Sequence, residues 1–297
     1  MIHEHITYGY NWDDSTKTLI AHDQIRDYGM FSTFTLMLIS LIGAYKKHNT
    51  LVENYDYSKI MRKFRWDDTT DMYHHFFKFD KSIQINFDPE KIPGTLLHPD
   101  NQHLIYKSEY SEYFTPFFNR YFSPSDIIKE KIQHLKTKYQ IDSENSISII
   151  YRDSDKWTDM GGGFLSAQAG LYFRTAKHLI DEVIKQTGKR PDILIQTENP
   201  GVVQTFKESG LPCKFIEETK LDKDQSIYPP VVKDLSLRKD WIESYIASLW
   251  IHSQSKYVVT YTGNSAFFVY LMRGNTNNFY QEKTFLMKPE DFFVINA

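Results

Sequence analysis

The sequence predicts an α/β fold made of two Rossmann-like domains. Three observations carry the prediction. In the second half, short apolar runs alternate with stretches of helical periodicity, the pattern of strands joined by helical crossovers in a parallel sheet. Each of three such runs ends abruptly in a polar loop. In the first half, two strand-like runs flank a long apolar helix, a looser version of the same pattern.

KTLIAHD (17–23) reads as a strand, and Gly29 precedes a helix over 31–47. TLVENYD (50–56) reads as a second strand, whereas 57–122, rich in aromatics with scattered prolines, predicts only short helices and loops. Pro124-Ser125-Asp126 marks a helix start, with Ser125 or Asp126 as the cap of a helix running to Tyr139. The polar YQIDSEN (139–145) then marks the passage between an amino-terminal domain, 1–140, and a carboxy-terminal one, 141–297.

The second half alternates cleanly. Ile147–Tyr151 is a strand, and Gly161-Gly162-Gly163 leads into a helix over 166–187. Along that helix Tyr172, Ala176, Leu179, Ile180 and Val183 keep helical spacing, and Gly188 ends it. Strands follow at 192–197, 214–218 and 257–261, with helices at 201–209, 240–255 and 265–273.

Composition narrows the function classes. With 35 basic against 38 acidic residues the net charge is −3, so no basic field argues for nucleic acid. Cys213 is the single cysteine, which excludes an intramolecular disulfide and a cysteine metal framework. FTLMLISLIGAY (34–45) is the longest apolar run and falls far short of the roughly 20 residues that span a bilayer. The start, MIHEHITYG, lacks the layout of a signal peptide, so a soluble cytoplasmic protein is expected. His3, His5, His74 and His75 lack a third ligand at supporting spacing. Aromatics reach 15%, and the clusters Tyr73–Phe79 and Tyr106–Phe122 are read first as core.

Ligands of open parallel sheets bind outside the carboxyl ends of the strands. Three polar loops occupy that rim: RDSDKWTD after 147–151, TENPG after 192–197 and YTGNS after 257–261. In the first, Asp153 and Asp155 offer carboxylates to a divalent cation and so to a diphosphate. Arg152 and Lys156 offer the opposite solution, since a guanidinium forks onto phosphate oxygens directly. In the third, Thr262, Gly263, Asn264 and Ser265 precede a helix, whose amino-terminal N–H groups suit a phosphate. Glu198 in the middle loop is placed to accept hydrogen bonds from a ribose or a base edge.

Together, YRDSDK, TEN and VVTYTGNSAFFVYLMRG resemble, in order and spacing, the donor-binding motifs of GDP-fucose-dependent fucosyltransferases of the α1,6-, nodulation and protein O-fucosyl groups. YGMFSTFTLMLISLIGAYKKHNTLVEN is similar to the family's glycine turn at Gly29, long helix and second strand. The resemblance covers 30–60 and 146–275. It implies a GT-B-like arrangement, two Rossmann-like domains facing a cleft, the first serving the acceptor and the second the nucleotide sugar. It also implies an inverting transferase that requires no metal and no further cofactor, moving fucose from GDP-fucose to a glycan hydroxyl. Carried over, Arg152 is the arginine on the β-phosphate, assisted by Lys156; Glu198 is the acidic residue at base or ribose; Thr262, Gly263, Asn264 and Ser265 lie at the pyrophosphate. Asp159 is the candidate general base, Asp155 the second choice, and Gly161–Gly163 lets the loop approach the ligand. Two departures bear on the donor: Ile150 stands where many members have His, and Asp153 stands where the α1,6 branch has a second Arg. Three alternatives stay open: another nucleotide sugar, metal-dependent transfer through Asp153 and Asp155, and a non-catalytic nucleotide- or carbohydrate-binding homologue.

Overall fold

The computed structural model describes the chain except for residues 1–3, 8–9, 22–28, 57–60, 62–63, 95–107, 152–164, 198–199, 212, 220–233, 262, 283–291 and 295–297. It is an α/β protein with eight α-helices and a five-stranded parallel sheet among the described residues. None of these helices is long and apolar enough to cross a membrane. The chain divides into two compact units. Unit 1 comprises 1–128, 234–239 and 263–274; unit 2 comprises 129–233, 240–262 and 275–297. Where the sequence suggests one cut at 140, the units are thus discontinuous in sequence.

Unit 1 opens with β1 (Glu4–Thr7), β2 (Tyr10–Asp13) and β3 (Thr18–Ala21), followed by α1 (Met30–His48) and β4 (Asn54–Asp56). The sheet order is β1-β2-β3-β4, antiparallel from β1 to β3 and parallel only between β3 and β4. This corrects the expectation of a second parallel layer. The cause is local: four residues join β2 to β3, too few for a crossover. Asp13 organises that turn, its carboxylate accepting from Ser15 N at 3.0 Å, Ser15 Oγ at 2.7 Å and Thr16 Oγ1 at 3.0 Å. β4 is also shorter than expected, since 50–53 lie outside it.

α1 is buried along nearly its whole length, so it reads as a core helix. Around it stand α2 (Met72–Phe76), α3 (Ser108–Tyr121) and α8 (Asn264–Arg273), with the short pair β5 (Phe77–Lys78) and β6 (Ser123–Pro124). Aromatic rings fill the centre: Phe34 meets Phe77, Phe122 and Phe268, and Phe118 stacks on Phe122. Tyr73 donates its hydroxyl to the Tyr121 carbonyl. Within Tyr73–Phe79, Tyr73, Phe76 and Phe77 are fully buried, so these rings are core.

Unit 2 carries β7 (Ser146–Ile150), α5 (Leu165–Thr187), β8 (Asp192–Gln196), α6 (Pro200–Glu208), β9 (Cys213–Phe215), β10 (Tyr257–Thr260), β11 (Phe279–Glu282) and β12 (Phe292–Val294). The strand order is β12-β11-β10-β7-β8-β9, parallel from β11 to β9, with β12 antiparallel at the edge. α4 (Asp126–Lys138) starts at Ser125, whose Oγ accepts from Ile128 N at 3.3 Å. α7 (Leu235–Ser253) starts five residues before the expected 240, because Asp234 caps it, accepting from Ser236 N at 2.9 Å and Leu237 N at 3.3 Å. Gly188, at φ +67, closes α5 in the left-handed conformation that favours glycine.

The two faces of this sheet differ chemically. One face, with Ile147, Ile149, Ile193, Ile195 and Val259, packs against Tyr172, Ala176, Leu179 and Val183 of α5 and Val202, Val203 and Phe206 of α6. The other combines a small apolar cluster, with Leu135, Leu194, Ala247 and Ile251, with a buried polar seam along α7. Ser255 receives from Ser146 Oγ at 3.0 Å, His252 Nδ1 lies 2.5 Å from Ser148 Oγ, and Ser248 donates to Gln196 Oε1 at 3.0 Å. Ser248 and His252 lie four residues apart on α7, and Ser255 follows two residues past its end, so one stripe faces the sheet through polar atoms. A buried polar group is tolerated where it is hydrogen-bonded.

Candidate functional site

Two helix amino termini meet in unit 1. α1 begins at Gly29, whose carbonyl accepts from Thr33 N at 2.9 Å and Thr33 Oγ1 at 3.1 Å. α8 begins at Gly263, whose carbonyl accepts from Phe267 N at 2.9 Å. Neither cap supplies a side-chain oxygen, and neither first turn holds an acidic residue. Asn264 Nδ2 donates to Ser32 Oγ at 2.8 Å, which ties the first turn of α8 to that of α1. Ser265 is buried beside it.

Packing holds this arrangement. Phe268 of α8 lies 5.3 Å from Phe31 and 5.9 Å from Phe34, and Phe267 lies 5.3 Å from Phe114. The FF pair in SAFFVYLMRG thus fixes α8 in the aromatic core of unit 1, although the sequence pattern assigns that helix to the second domain. A helix amino terminus leaves its first N–H groups without intrahelical partners and carries a partial positive charge. Two such ends side by side, with no acidic residue in either first turn, form a surface suited to an anion.

The rim of the parallel sheet is organised separately, within unit 2. Gln196, Ile150, Thr260 and Gln281 form one register row across β8, β7, β10 and β11, on one face at the carboxyl ends of the strands. All four are buried. The Gln196 carbonyl accepts from Tyr151 N at 2.9 Å, and its Oε1 accepts from Ser248 Oγ at 3.0 Å and Thr219 Oγ1 at 3.3 Å. Gln281 Nε2 donates to the Tyr261 carbonyl at 3.3 Å. Among the described residues Gln281 Oε1 and Thr260 Oγ1 have no hydrogen-bond partner.

Of the residues singled out in the sequence, Gly29, Gly263, Asn264 and Ser265 are brought together at the paired helix ends. Arg152, Asp153, Asp155, Lys156, Asp159, Glu198 and Thr262 lie outside the described residues. Tyr151, Thr197 and Tyr261, which lead into the three rim loops, are buried. His74 serves the start of α2, its Nδ1 2.7 Å from Oδ2 of the capping Asp71. Ser32, Gln196 and Gln281 escape the sequence reading. Gln196 leaves a trace, a polar residue closing an apolar strand in DILIQ, whereas Ser32 gains significance only from the approach of α8.

Neither a protein-family model nor a curated protein matches the chain.

Proposed function

We propose that the chain is an inverting glycosyltransferase that moves a sugar, fucose from GDP-fucose, to a hydroxyl of a glycan acceptor without a metal. The observation that carries this reading is the Asn264–Ser32 contact, which joins two uncapped helix amino termini free of acidic residues. Such a pair complements a diphosphate. The likeness of YRDSDK, TEN and TGNS to fucosyltransferase motifs supplies the substrate class, and the parallel sheet supplies a rim at which nucleotides commonly bind.

In this mechanism Arg152, with Lys156, grips the β-phosphate, and the amino terminus of α8 together with Thr262 receives the pyrophosphate. Both stabilise the negative charge that builds on the leaving diphosphate as the glycosidic bond breaks. Glu198 orients the ribose or base. Asp159 removes the proton from the acceptor hydroxyl as it attacks the anomeric carbon from the opposite face, which inverts the configuration. Asp155 shapes the loop.

A thermal-shift panel of GDP, UDP, ADP and their sugars in EDTA tests the reading. A ligand at a hundred times its Kd stabilises the native state by about 2.7 kcal/mol. GDP and GDP-fucose raise Tm, and the adenine and uridine compounds leave it in place. A panel in which no guanine nucleotide acts overturns the assignment.

A further inference from the structure

Glutamine is an unexpected residue at the buried end of a parallel strand, a position that Val, Ile or Leu fills without any hydrogen-bond demand. Unit 2 has two, Gln196 and Gln281, in the same register row at the same end of the sheet. Their bonds share one feature. Gln281 grips the backbone carbonyl of Tyr261, the residue that leaves β10. Gln196 uses its backbone carbonyl to hold the N–H of Tyr151, the residue that leaves β7, and its side chain to anchor the end of β8 to Ser248 of α7 and to Thr219. Two strand ends are therefore held by buried side-chain amides, β10 by Gln281 and β8 by Gln196, while the end of β7 is held through the main chain of Gln196. Arg152 follows Tyr151 directly, Glu198 stands two residues beyond Gln196, and Thr262 follows Tyr261.

We infer that Gln196 and Gln281 are positioning residues of the donor site, their side chains holding the carboxyl ends of β8 and β10 in place. The inference rests on the proposed function for the identity of the ligand; the hydrogen bonds do not. An error of about 1 Å in the placement of a catalytic group costs on the order of a hundredfold in rate, so anchoring the strand ends matters more than the modest stability of each bond. Gln281 is the cleaner case, because its amide makes its described contact with backbone rather than with another functional side chain.

Two measurements on the full-length chain test this. The first needs no ligand: hydrogen exchange across 258–264, by mass spectrometry, in wild type and Gln281→Leu. Positioning predicts faster exchange there in the variant while exchange in α5 and α6 is unchanged; identical exchange at 258–264 overturns it. The second is GDP affinity by calorimetry at a temperature where every variant is fully folded. Gln281→Leu is expected to weaken GDP about tenfold or more. In Gln281→Glu the carboxylate faces the Tyr261 carbonyl and repels it. Protonation restores a donor, so affinity at pH 5 recovers relative to pH 8 beyond any such change in wild type. Wild-type GDP affinity in the folded variants at both pH values overturns the inference. A wild type that ignores GDP rejects the proposed function instead and leaves the exchange experiment to decide the positioning role.

Discussion

Ser148 Oγ lies 2.5 Å from Nδ1 of His252, and both side chains are wholly buried between β7 and α7. Burial pushes the imidazole pKa down to about 3, so the ring is neutral in the fold. The sign of the linkage follows. In the unfolded chain the ring binds a proton from about pH 6.5 downward, while the folded ring resists until about pH 3. Its contribution to stability is full above pH 6.5 and is lost as pH falls toward 3. Within that window the slope is about 1.4 kcal/mol per pH unit. Denaturant unfolding at pH 7, 6 and 5 should show this slope in wild type and its loss in His252→Leu, which is less stable at pH 7 because Ser148 loses its partner. Equal slopes in the two proteins would assign the acid sensitivity elsewhere.

Asn264→Asp separates stability from binding at the paired helix ends. A carboxylate in the first turn of α8 interacts favourably with the helix dipole, by about 0.3–1 kcal/mol, and still accepts a hydrogen bond from Ser32 Oγ. The same charge repels a diphosphate. Tm is expected to rise or hold while GDP affinity falls at least tenfold. A variant that binds GDP as wild type does would remove α8 from the pyrophosphate site.

Cys213 should behave as an inert thiol. It is half-buried at the start of β9, its Sγ 3.8 Å from the Phe206 carbonyl, and burial pushes its pKa up to about 11. Because the thiolate is the reactive form, labelling by a disulfide reagent at pH 7.5 should be much slower in the native protein than in denaturant. Equal rates would contradict this environment.

The strands and helices that the sequence reveals are those whose own composition determines them. Ile147–Ile150, DILIQ and YVVT are mostly apolar because the sheet is covered on both faces, one of them apolar and the other mixing Leu194 and Ile150 with the buried Ser148, Gln196 and Thr260, and the α5 stripe at Tyr172, Ala176, Leu179 and Val183 is the face it buries. EHIT and YNWD, the first two strands, are short and mixed, and they exist as strands because they pair with each other and with β3. α3 hides behind Pro116, which sits inside the helix. The membership of α8 in unit 1 is a matter of partners: periodicity marks the helix, but only folding shows Phe267 and Phe268 among Phe31, Phe34 and Phe114. The candidate site divides likewise. Helix starts at Gly29 and Gly263 are legible as motifs, whereas the Asn264–Ser32 contact spans 232 positions and has no local signature.

Chelation distinguishes the two roles that the sequence permits for Asp153 and Asp155. With Arg152 and Lys156 as the phosphate ligands, transfer from GDP-fucose should proceed in EDTA at the rate seen with added magnesium. Activity that disappears in EDTA and returns with Mg²⁺ or Mn²⁺ would assign the two aspartates to a metal-held diphosphate.

Arg152→Ala and Asp159→Asn should fail in different ways. Removing the guanidinium takes away charge stabilisation that grows as the diphosphate departs, so kcat/KM should fall by about a hundredfold or more, with GDP affinity falling as well and far-UV circular dichroism unchanged. Asp159→Asn keeps the size of the side chain but removes the base, so kcat should drop by roughly 10²–10⁴ while GDP affinity stays near wild type. Wild-type turnover in the first variant would sink the proposed phosphate contact. Wild-type turnover in the second would move the base to another carboxylate, with Asp155→Asn the next variant to assay.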